Sequence, residues 1–315
     1  MAQPLHPDIL SRLDPEYAAF HNANFLDLIP PHTLPWTPEI RTRTVPSGAS
    51  QPLNVGKIED YLIKDCDARV LTPEGDAPLA GWPAIIYFHG GGWTLGNINS
   101  EIAFCTNLCA RARCVVISIN YRLAPEHPYP AAVEDAVDAL EWVKIQGKAI
   151  LGVDLTKVAV GGSSSGGNLA AVLALKAAEL ADSIPLVFQL LIVPVTDNTA
   201  SESGHPYHSW LENADTPWLN TGRMLWFRNH YLPNPEDRTK WDNSPIFAPD
   251  ALLEKVPSAW IGVTELDILR DEGLAYGEKL RLNGVQVVAK VYRAAPHPIM
   301  ALDGKLPYFD CGYRS

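Results

Sequence analysis

Short apolar runs alternate along this chain with segments in which apolar residues recur every three or four positions. The strand-like runs, several of them continuous as in strands buried on both faces, lie at 58–63, 68–71, 84–88, 115–119, 158–162, 186–195, 259–263 and 285–292. The segments with helical spacing begin near 131, 169 and 271. Strands that alternate with helices predict a mostly parallel sheet with helices on both faces, which is an α/β fold.

The N-terminal 50 residues do not follow this alternation. Leu10, Leu13, Tyr17 and Phe20 recur at helical spacing, and Asp14 before a proline predicts the start of a short helix. Several prolines follow and exclude regular structure. We therefore expect residues 1–50 to form a cap arm without a core of its own, whose apolar face packs on the aromatic-rich segment at 197–256.

A second break in the alternation lies at 197–256. This segment holds four of the nine tryptophans, together with interleaved prolines and polar residues. It predicts an insertion that covers the carboxyl edge of the sheet, where α/β folds bind ligands. The chain then divides into an arm (1–50), a core in two parts (51–196 and 257–315) and a cap insertion (197–256).

Composition narrows the class of protein. A chain of 315 residues that is 47% hydrophobic and 19% charged suits one large domain, and its net charge of −11 argues against binding to nucleic acid. The five cysteines show neither disulfide nor zinc spacing, so buried thiols and no metal are expected. The N-terminus lacks the pattern of a signal peptide, and no apolar run reaches the length of a membrane span. These features predict a cytoplasmic protein.

The apolar run at 158–162 ends in a cluster of glycine and serine. Ser164 has Gly162 two positions before it and Gly166 two positions after it, whereas Ser163 and Ser165 lack one of these glycines. This is the G-x-S-x-G pattern, in which a strained turn between strand and helix presents a nucleophilic serine. The helix that follows directs its N-terminal dipole at a developing oxyanion. Ser164 is the candidate nucleophile.

A serine nucleophile needs a general base and an acid that orients it, and in this pattern they follow in the order serine, acid, histidine. Among the histidines after Ser164, only His297 follows the last predicted strand, and prolines flank it. Asp267 lies just past the strand at 259–263 and is the candidate acid. Glu265 is its nearest rival, while the carboxylates at 271 and 272 suit the first turn of a helix.

Three consecutive glycines, 90–92, follow the strand at 84–88. Glycines let backbone N–H groups approach an oxygen without interference from a Cβ atom. The N–H groups of Gly91, Gly92 and Ser165 would form an oxyanion hole with three donors. A phosphate-binding loop is the alternative, but no Lys-Ser or Lys-Thr pair follows these glycines.

Four motifs resemble the hormone-sensitive-lipase family of α/β-hydrolases, and they fall in that family's order: HGGGW at 89–93, YRLAPEHPYPAA at 121–132, GSSSGGN at 162–168 and DILRDE at 267–272. The resemblance spans about residues 58–300. It implies an α/β-hydrolase fold with a helical cap, a triad of Ser164, Asp267 and His297, and hydrolysis of carboxylic esters without a cofactor. Arg122 and His127 would be structural.

The chain departs from the family's pattern in places. Ser163 and Ser165 stand where the family usually has Asp and Ala, and Pro298-Ile299 replaces Gly-Phe after the histidine. That variant is similar to fungal members, some of which hydrolyse acetate esters in secondary metabolism. A short-acyl ester of a small hydrophobic alcohol is the expected substrate, a homodimer is a candidate assembly, and the final helix is expected to be short or altered.

Two other functions stay open. Plant gibberellin receptors resemble this family but lack the catalytic histidine, so a receptor for a small molecule is one alternative, and the presence of His297 argues against it. The other alternative is an amidase, which would use the same triad.

Overall fold

The computed structural model describes residues 4–43, 50–180, 182–297 and 304. Its sheet has eight strands in the order β1-β2-β4-β3-β5-β6-β7-β8. The β1–β2 and β2–β4 pairs are antiparallel, and the other pairs are parallel. The strands are β1 (Lys57–Ile63), β2 (Cys66–Thr72), β3 (Trp82–Phe88), β4 (Val115–Asn120), β5 (Val153–Ser163), β6 (Leu186–Ile192), β7 (Ser258–Leu266) and β8 (Val287–Pro296).

Helices cover both faces of this sheet, which confirms the predicted fold class. Alternate residues of β3 point to opposite faces of the sheet. Ile85 and Tyr87 pack on the face covered by the helix Ile102–Ala112, and Ile86 packs on the face covered by the helices Ala131–Leu151 and Ser165–Glu179. The helices are α1 (Pro7–Leu10), α2 (Pro15–Asn24), α3 (Ile102–Ala112), α4 (Ala131–Leu151), α5 (Ser165–Glu179), α6 (Ser209–Glu212), α7 (Thr221–Tyr231), α8 (Asp250–Leu253) and α9 (Arg270–Leu282).

Some strand boundaries differ from the predicted ones. β6 ends at Ile192 rather than at 195, because Val193 has a φ of +41° and the next residue is a proline without an N–H group. β8 continues to Pro296, four residues past its predicted end, because its ladder with β7 extends to the pair Leu266 and Pro296. Gly284 follows the end of α9 with a φ of +80°, a conformation that favours glycine after a helix.

The N-terminal segment is held on the carboxyl ends of β7 and β8. Asp14 caps α2, since its carboxylate accepts from the N–H groups of the second and third residues of the helix at 2.8 and 3.2 Å. Ile9 and Tyr17 pack with Leu266, the last residue of β7. The N–H of Asp14 also donates to the carbonyl of Ala294 at 2.9 Å. The apolar face of the arm therefore covers the core itself.

Later residues of this segment contact the insertion. The rings of Phe25 and Trp218 lie 5.0 Å apart, and those of Trp36 and Trp226 lie 5.8 Å apart. Closer to the N-terminus, Arg12 pairs with a glutamate of α6 at 2.7 Å. The two segments that break the α/β alternation are thus in contact with each other.

The cysteines at 66, 105, 109 and 114 are buried free thiols, and Cys311 lies outside the described residues. The predicted alteration of the final helix also falls there. Among the described residues, no helix has the length and apolar character needed to cross a bilayer.

Candidate active site

Ser164 lies in a sharp turn between β5 and α5. Its backbone has a φ of +54° and a ψ of −118°, a conformation that non-glycine residues rarely adopt. A Cβ atom on Gly162 would strike the carbonyl of Gly166, and one on Gly166 would strike that of Phe88. Both glycines of the G-x-S-x-G pattern are therefore required by close packing. The N–H of Ser164 donates to the carbonyl of Ile192 at 2.8 Å.

The pairing of β7 with β8 brings the candidate base and acid together. Because Leu266 pairs with Pro296, the residues that follow them, Asp267 and His297, leave neighbouring strands at the same level. His297 Nδ1 lies 2.8 Å from Asp267 Oδ2, and His297 Nε2 lies 3.0 Å from Ser164 Oγ. The histidine is 5% exposed and the serine 8%. The three predicted side chains form one hydrogen-bonded line.

The surroundings of the carboxylates distinguish Asp267 from its rival. Asp267 is fully buried, and its Oδ1 accepts from the N–H of Leu269 at 2.9 Å. Glu265 turns elsewhere and accepts from the N–H of Ala294 at 2.8 Å. Asp271, at the start of α9, accepts from the N–H of Ser209 at 2.8 Å. Of these three carboxylates, only Asp267 contacts the histidine.

This line can move a proton. With the proton of the imidazole on Nδ1, His297 donates to Asp267, and its Nε2 is free to accept from the hydroxyl of Ser164. The buried carboxylate then stabilises the imidazolium that forms when the serine loses its proton. Such an arrangement activates a serine for attack on an acyl carbon.

The glycine loop after β3 faces the same turn. Gly91 and Gly92 have φ values of +131° and +61°, which favour glycine. A Cβ atom on Gly91 would strike the carbonyl of Leu95, and one on Gly92 would strike the ring of Phe227 from α7. Ser165 is the first residue of α5, where a backbone N–H has no acceptor within the helix. These conformations and close contacts require glycine at 91 and 92, and the use of the three N–H groups as an oxyanion hole stays a prediction.

Residues 85–301 match the family model described as the alpha/beta hydrolase fold. This chain belongs to the α/β-hydrolase family. The protein C1039.03 of Schizosaccharomyces pombe, named an AB hydrolase superfamily protein, is 43% identical and aligns with 96% of this chain and 92% of its own. The ethyl acetate hydrolase of Pseudomonas putida is 35% identical and aligns with 78% of this chain and 74% of its own.

Solved structures agree with this assignment. A thermostable esterase from Pseudomonas putida ECU1011 superposes with a TM-score of 0.81 at 32% identity, covering 95% of this chain and 93% of that one. The resemblance to hormone-sensitive-lipase-type esterases is therefore confirmed, and the yeast relative agrees with a fungal-type member. This α/β-hydrolase is a carboxylic-ester hydrolase of the serine type.

The hydrolase also places a carboxylate, Glu101, behind the glycine loop, which the sequence did not reveal. Glu101 Oε1 accepts from Ser163 Oγ at 2.5 Å and from the N–H of Gly90 at 3.0 Å, and Oε2 accepts from the Tyr87 hydroxyl at 2.6 Å. Burial raises the pKa of Glu101, and the three hydrogen bonds oppose that shift. Ser163, the departure from the family's Asp, thus joins the elbow to the first glycine of the loop.

The second departure, Ser165, contacts the other side of that loop. Its hydroxyl lies 3.4 Å from the hydroxyl of Tyr121, which donates to the carbonyl of His89 at 2.8 Å. The ring of Tyr121 stacks on His89 with centroids 4.5 Å apart. Burial lowers the pKa of His89 to about 4, so this ring is neutral at neutral pH. Tyr121 therefore holds the start of the glycine loop by a hydrogen bond and by ring stacking, and the hydroxyl of Ser165 lies beside the hydroxyl of Tyr121.

The motif that follows Tyr121 is anchored by Arg122. The side-chain Nε of Arg122 and the backbone N–H of Arg122 both donate to the buried carboxylate of Asp135, at 2.8 and 2.6 Å. This bidentate contact ties the loop after β4 to α4 and agrees with a structural role for Arg122. In the described part of the chain, no three His, Cys, Asp or Glu side chains are grouped as metal ligands.

Proposed function

We propose that Ser164, His297 and Asp267 are the catalytic triad of an esterase that hydrolyses short-acyl, acetyl-like esters of a small hydrophobic alcohol. The observation that carries this proposal is the hydrogen-bonded line from Ser164 Oγ through the imidazole to Asp267, at 3.0 and 2.8 Å. The order of the three groups is that of a nucleophile, a general base and an orienting acid.

In the proposed reaction, His297 Nε2 takes the hydroxyl proton of Ser164 while Oγ bonds to the acyl carbon. The N–H groups of Gly91, Gly92 and Ser165 bind the resulting oxyanion. His297 returns the proton to the alkoxide as the carbon–oxygen bond breaks, so the alcohol leaves and an acyl-serine forms. Water then attacks the acyl-serine with the same base, which releases the acid and restores Ser164.

The preference for a short acyl chain is supported by packing above the glycine loop. Phe227 of α7 lies against Gly92, and Trp93 stacks on Tyr231 of the same helix with ring centroids 4.2 Å apart. These rings leave little space beside the proposed oxyanion hole. The name of the ethyl acetate hydrolase agrees with an acetyl-like substrate, which remains a proposal for this chain.

Residues 1–50 and 197–256 are proposed to act together as a cap. Their support is the contact of Phe25 with Trp218 and of Trp36 with Trp226. A cap would exclude water from the ester and hold it in one orientation. The homodimer and the role in secondary metabolism stay predictions. Pro298 and Ile299, which suggested that role, lie outside the described residues.

The test combines one substitution with a substrate series. Ser164→Ala removes the nucleophile, so kcat on an aryl acetate should fall by about 10⁶-fold, as removal of a triad nucleophile does in other serine hydrolases. Ser203→Ala, at an exposed serine, is the matched control and should keep full activity. An organophosphonate should add mass at Ser164 in the wild type.

Two results would contradict the proposal. Retention of a tenth or more of the wild-type kcat by Ser164→Ala would place the nucleophile elsewhere. In a series of aryl esters from acetyl to palmitoyl, kcat/KM should fall beyond about hexanoyl; a steady rise to palmitoyl would exclude a short-acyl esterase. The corresponding anilides, measured beside the esters, distinguish an amidase from an esterase, because each anilide differs from its ester only in the leaving group.

A further inference from the structure

A cavity of about 670 Å³ lies between the N-terminal segment, the loop after the glycines and the beginning of the insertion. Its lining includes Tyr17 and Phe25 from the N-terminal segment, Leu95 from the loop, and Trp218 and Arg223 from the insertion. The cavity is therefore enclosed by the same segments that we propose to form the cap.

Two contacts place this cavity beside the proposed catalytic loops. Leu95 and Gly96 line it, and a Cβ atom on Gly96 would lie 2.8 Å from the ring of His89 at the start of the glycine loop. Thr216 also lines it, and its hydroxyl donates at 2.5 Å to the carbonyl of Leu266, the residue before Asp267. The cavity therefore lies next to the loop after the glycines and to the end of β7 before Asp267.

The lining is positive although the chain carries a net charge of −11. It contains Arg41, Arg43 and Arg223, against a single carboxylate, Asp215. Arg41 pairs with Glu126 outside the lining at 2.5 Å. Among the described residues, Arg223 has no carboxylate within ion-pair distance.

Arg223 is held rigidly in the first turn of α7. Its Nη1 donates to the carbonyl of Trp218 at 2.8 Å, and its guanidinium lies 5.6 Å from the ring centroids of both Trp218 and Phe227. Phe227 is the residue that packs against Gly92. Nε of Arg223 is buried and has no hydrogen-bond partner among the described residues. Burial lowers its pKa to about 10, so the side chain stays charged at neutral pH.

Two further groups on residues that line the cavity have no partner. Trp218 Nε1, a donor, and His32 Nδ1, which donates in one of the two neutral tautomers, are buried without a hydrogen-bond partner among the described residues. Burial, and then the charge of Arg223, lower the pKa of His32, which favours its neutral form. Buried polar groups without partners are unfavourable unless a ligand satisfies them. One cation beside an indole N–H and a neutral imidazole suits a group with one negative charge and several acceptor sites, which is a carboxylate.

We propose that the alcohol part of the natural ester reaches from Ser164 into this cavity through a hydrophobic middle and ends in a carboxylate. That carboxylate binds Arg223, with the indole N–H of Trp218 and the Nδ1–H tautomer of His32 as further donors. The acyl part stays short, and the rings of Phe25 and Trp218 contact the apolar middle of the alcohol. This inference rests on the proposed ester hydrolysis at Ser164 and names the substrate class of that site.

A pair of aryl acetates that differ only in charge tests this inference. 3-(4-Acetoxyphenyl)propionate and its propionamide have similar leaving groups, because the methylene spacer separates the charge from the phenol oxygen. A charge-assisted contact predicts that wild-type kcat/KM is about 10- to 100-fold higher for the carboxylate than for the amide. 4-Acetoxyphenylacetate and 4-(4-acetoxyphenyl)butyrate, which have one methylene fewer and one more, vary the distance from the ester to the carboxylate. One of the three lengths should show the largest preference for the carboxylate over its amide.

Variants assign the preference to the site. Arg223→Gln should remove it: the ratio of kcat/KM for the carboxylate to kcat/KM for the amide should fall to about 1, because a remote contact affects only the substrate that makes it. Arg223→Lys keeps the charge without the planar fork and should retain part of the preference. Arg281→Gln is the matched control. It also removes an arginine, but an exposed one on α9 that is paired with Glu278, and it should keep the full preference.

The outcomes separate this inference from the proposed function. Equal turnover of carboxylate and amide at all three lengths overturns the inference and leaves the esterase intact, whereas hydrolysis of neither substrate overturns the proposed function. If Arg223→Gln fails to fold, inhibition of the wild type decides instead. 3-Phenylpropionate should inhibit hydrolysis of a neutral aryl acetate at least 10-fold more strongly than its amide. Inorganic phosphate that inhibits as well as 3-phenylpropionate would indicate a free-anion site and would also overturn the inference.

Discussion

Replacing Glu101 with alanine tests whether the carboxylate behind the glycine loop positions the oxyanion donors. The substitution leaves three hydrogen-bond donors without their acceptor: the N–H of Gly90 and the hydroxyls of Ser163 and Tyr87. Gly90 directly precedes the two glycines whose N–H groups would bind the oxyanion. Loss of this anchor should therefore act on the transition state through the loop, with Glu101 itself touching no reacting atom.

The contacts set the size of the expected effect. Removing one oxyanion donor outright lowers kcat by about 10²- to 10³-fold in serine hydrolases. Loosening the loop that carries two donors should have part of that effect, so kcat should fall by about 10- to 100-fold and KM should change by less than threefold. Ser163 and Tyr87 are buried, and each unsatisfied buried donor destabilises a fold by about 1–3 kcal/mol. The melting temperature should therefore fall as well.

Two further variants separate positioning from stability. Glu101→Gln keeps one oxygen, which can accept from both Gly90 and Ser163, and should recover most of the lost kcat. Ser163→Ala removes one donor but leaves the contact between Gly90 and Glu101, so its kcat should fall much less. Kinetics on an aryl acetate, measured well below the melting temperature of each variant, give kcat and KM separately. A Glu101→Ala enzyme with kcat within twofold of the wild type, or with its whole loss in KM, would refute the positioning role.

Two other substitutions follow from the site and the arm. Asp267→Asn should lower kcat by about 10⁴-fold, because the amide favours the wrong imidazole tautomer. The kcat of Glu265→Gln, measured beside it, should stay within tenfold of the wild type. A larger loss of kcat in Glu265→Gln than in Asp267→Asn would identify Glu265 as the acid. Tyr17→Ala should lower the free energy of unfolding by about 3 kcal/mol, since it empties a buried site against Leu266. Urea denaturation measures this free energy of unfolding. Leu10→Ala, at an exposed position, is the control and should change the free energy of unfolding by under 1 kcal/mol. Equal losses in the two variants would contradict the prediction.

The motif order along the chain predicted the Ser164, Asp267 and His297 cluster because each residue follows a strand. Parallel strands carry their carboxyl ends to one edge of the sheet, so chain order alone brings those residues near each other. The register of β7 against β8, which sets Asp267 level with His297, could not be predicted, since β8 extends four residues past its apolar run.

Glu101 escaped prediction for a different reason. It stands just before the apolar face of α3, where a glutamate is common and needs no further role. Its partner Ser163 is 62 positions away, and the contact depends on how two loops meet at the edge of the sheet. Local patterns carry no signal of such a contact. The loss of the usual aspartate before the nucleophile was the one visible sign that the hydrogen bonds of the elbow had changed.

The arm links stability to catalysis more closely than its sequence suggested. Its prolines and its apolar face predicted a cap arm that packs on the insertion, yet Tyr17 packs on Leu266 and the N–H of Asp14 donates to the carbonyl of Ala294. These contacts hold β7 directly before Asp267 and β8 three residues before His297. Tyr17 also lines the cavity that contains Arg223. Movement of the arm should therefore displace the proposed acid–base pair and the proposed alcohol site together, so Tyr17→Ala is expected to reduce kcat as well as stability.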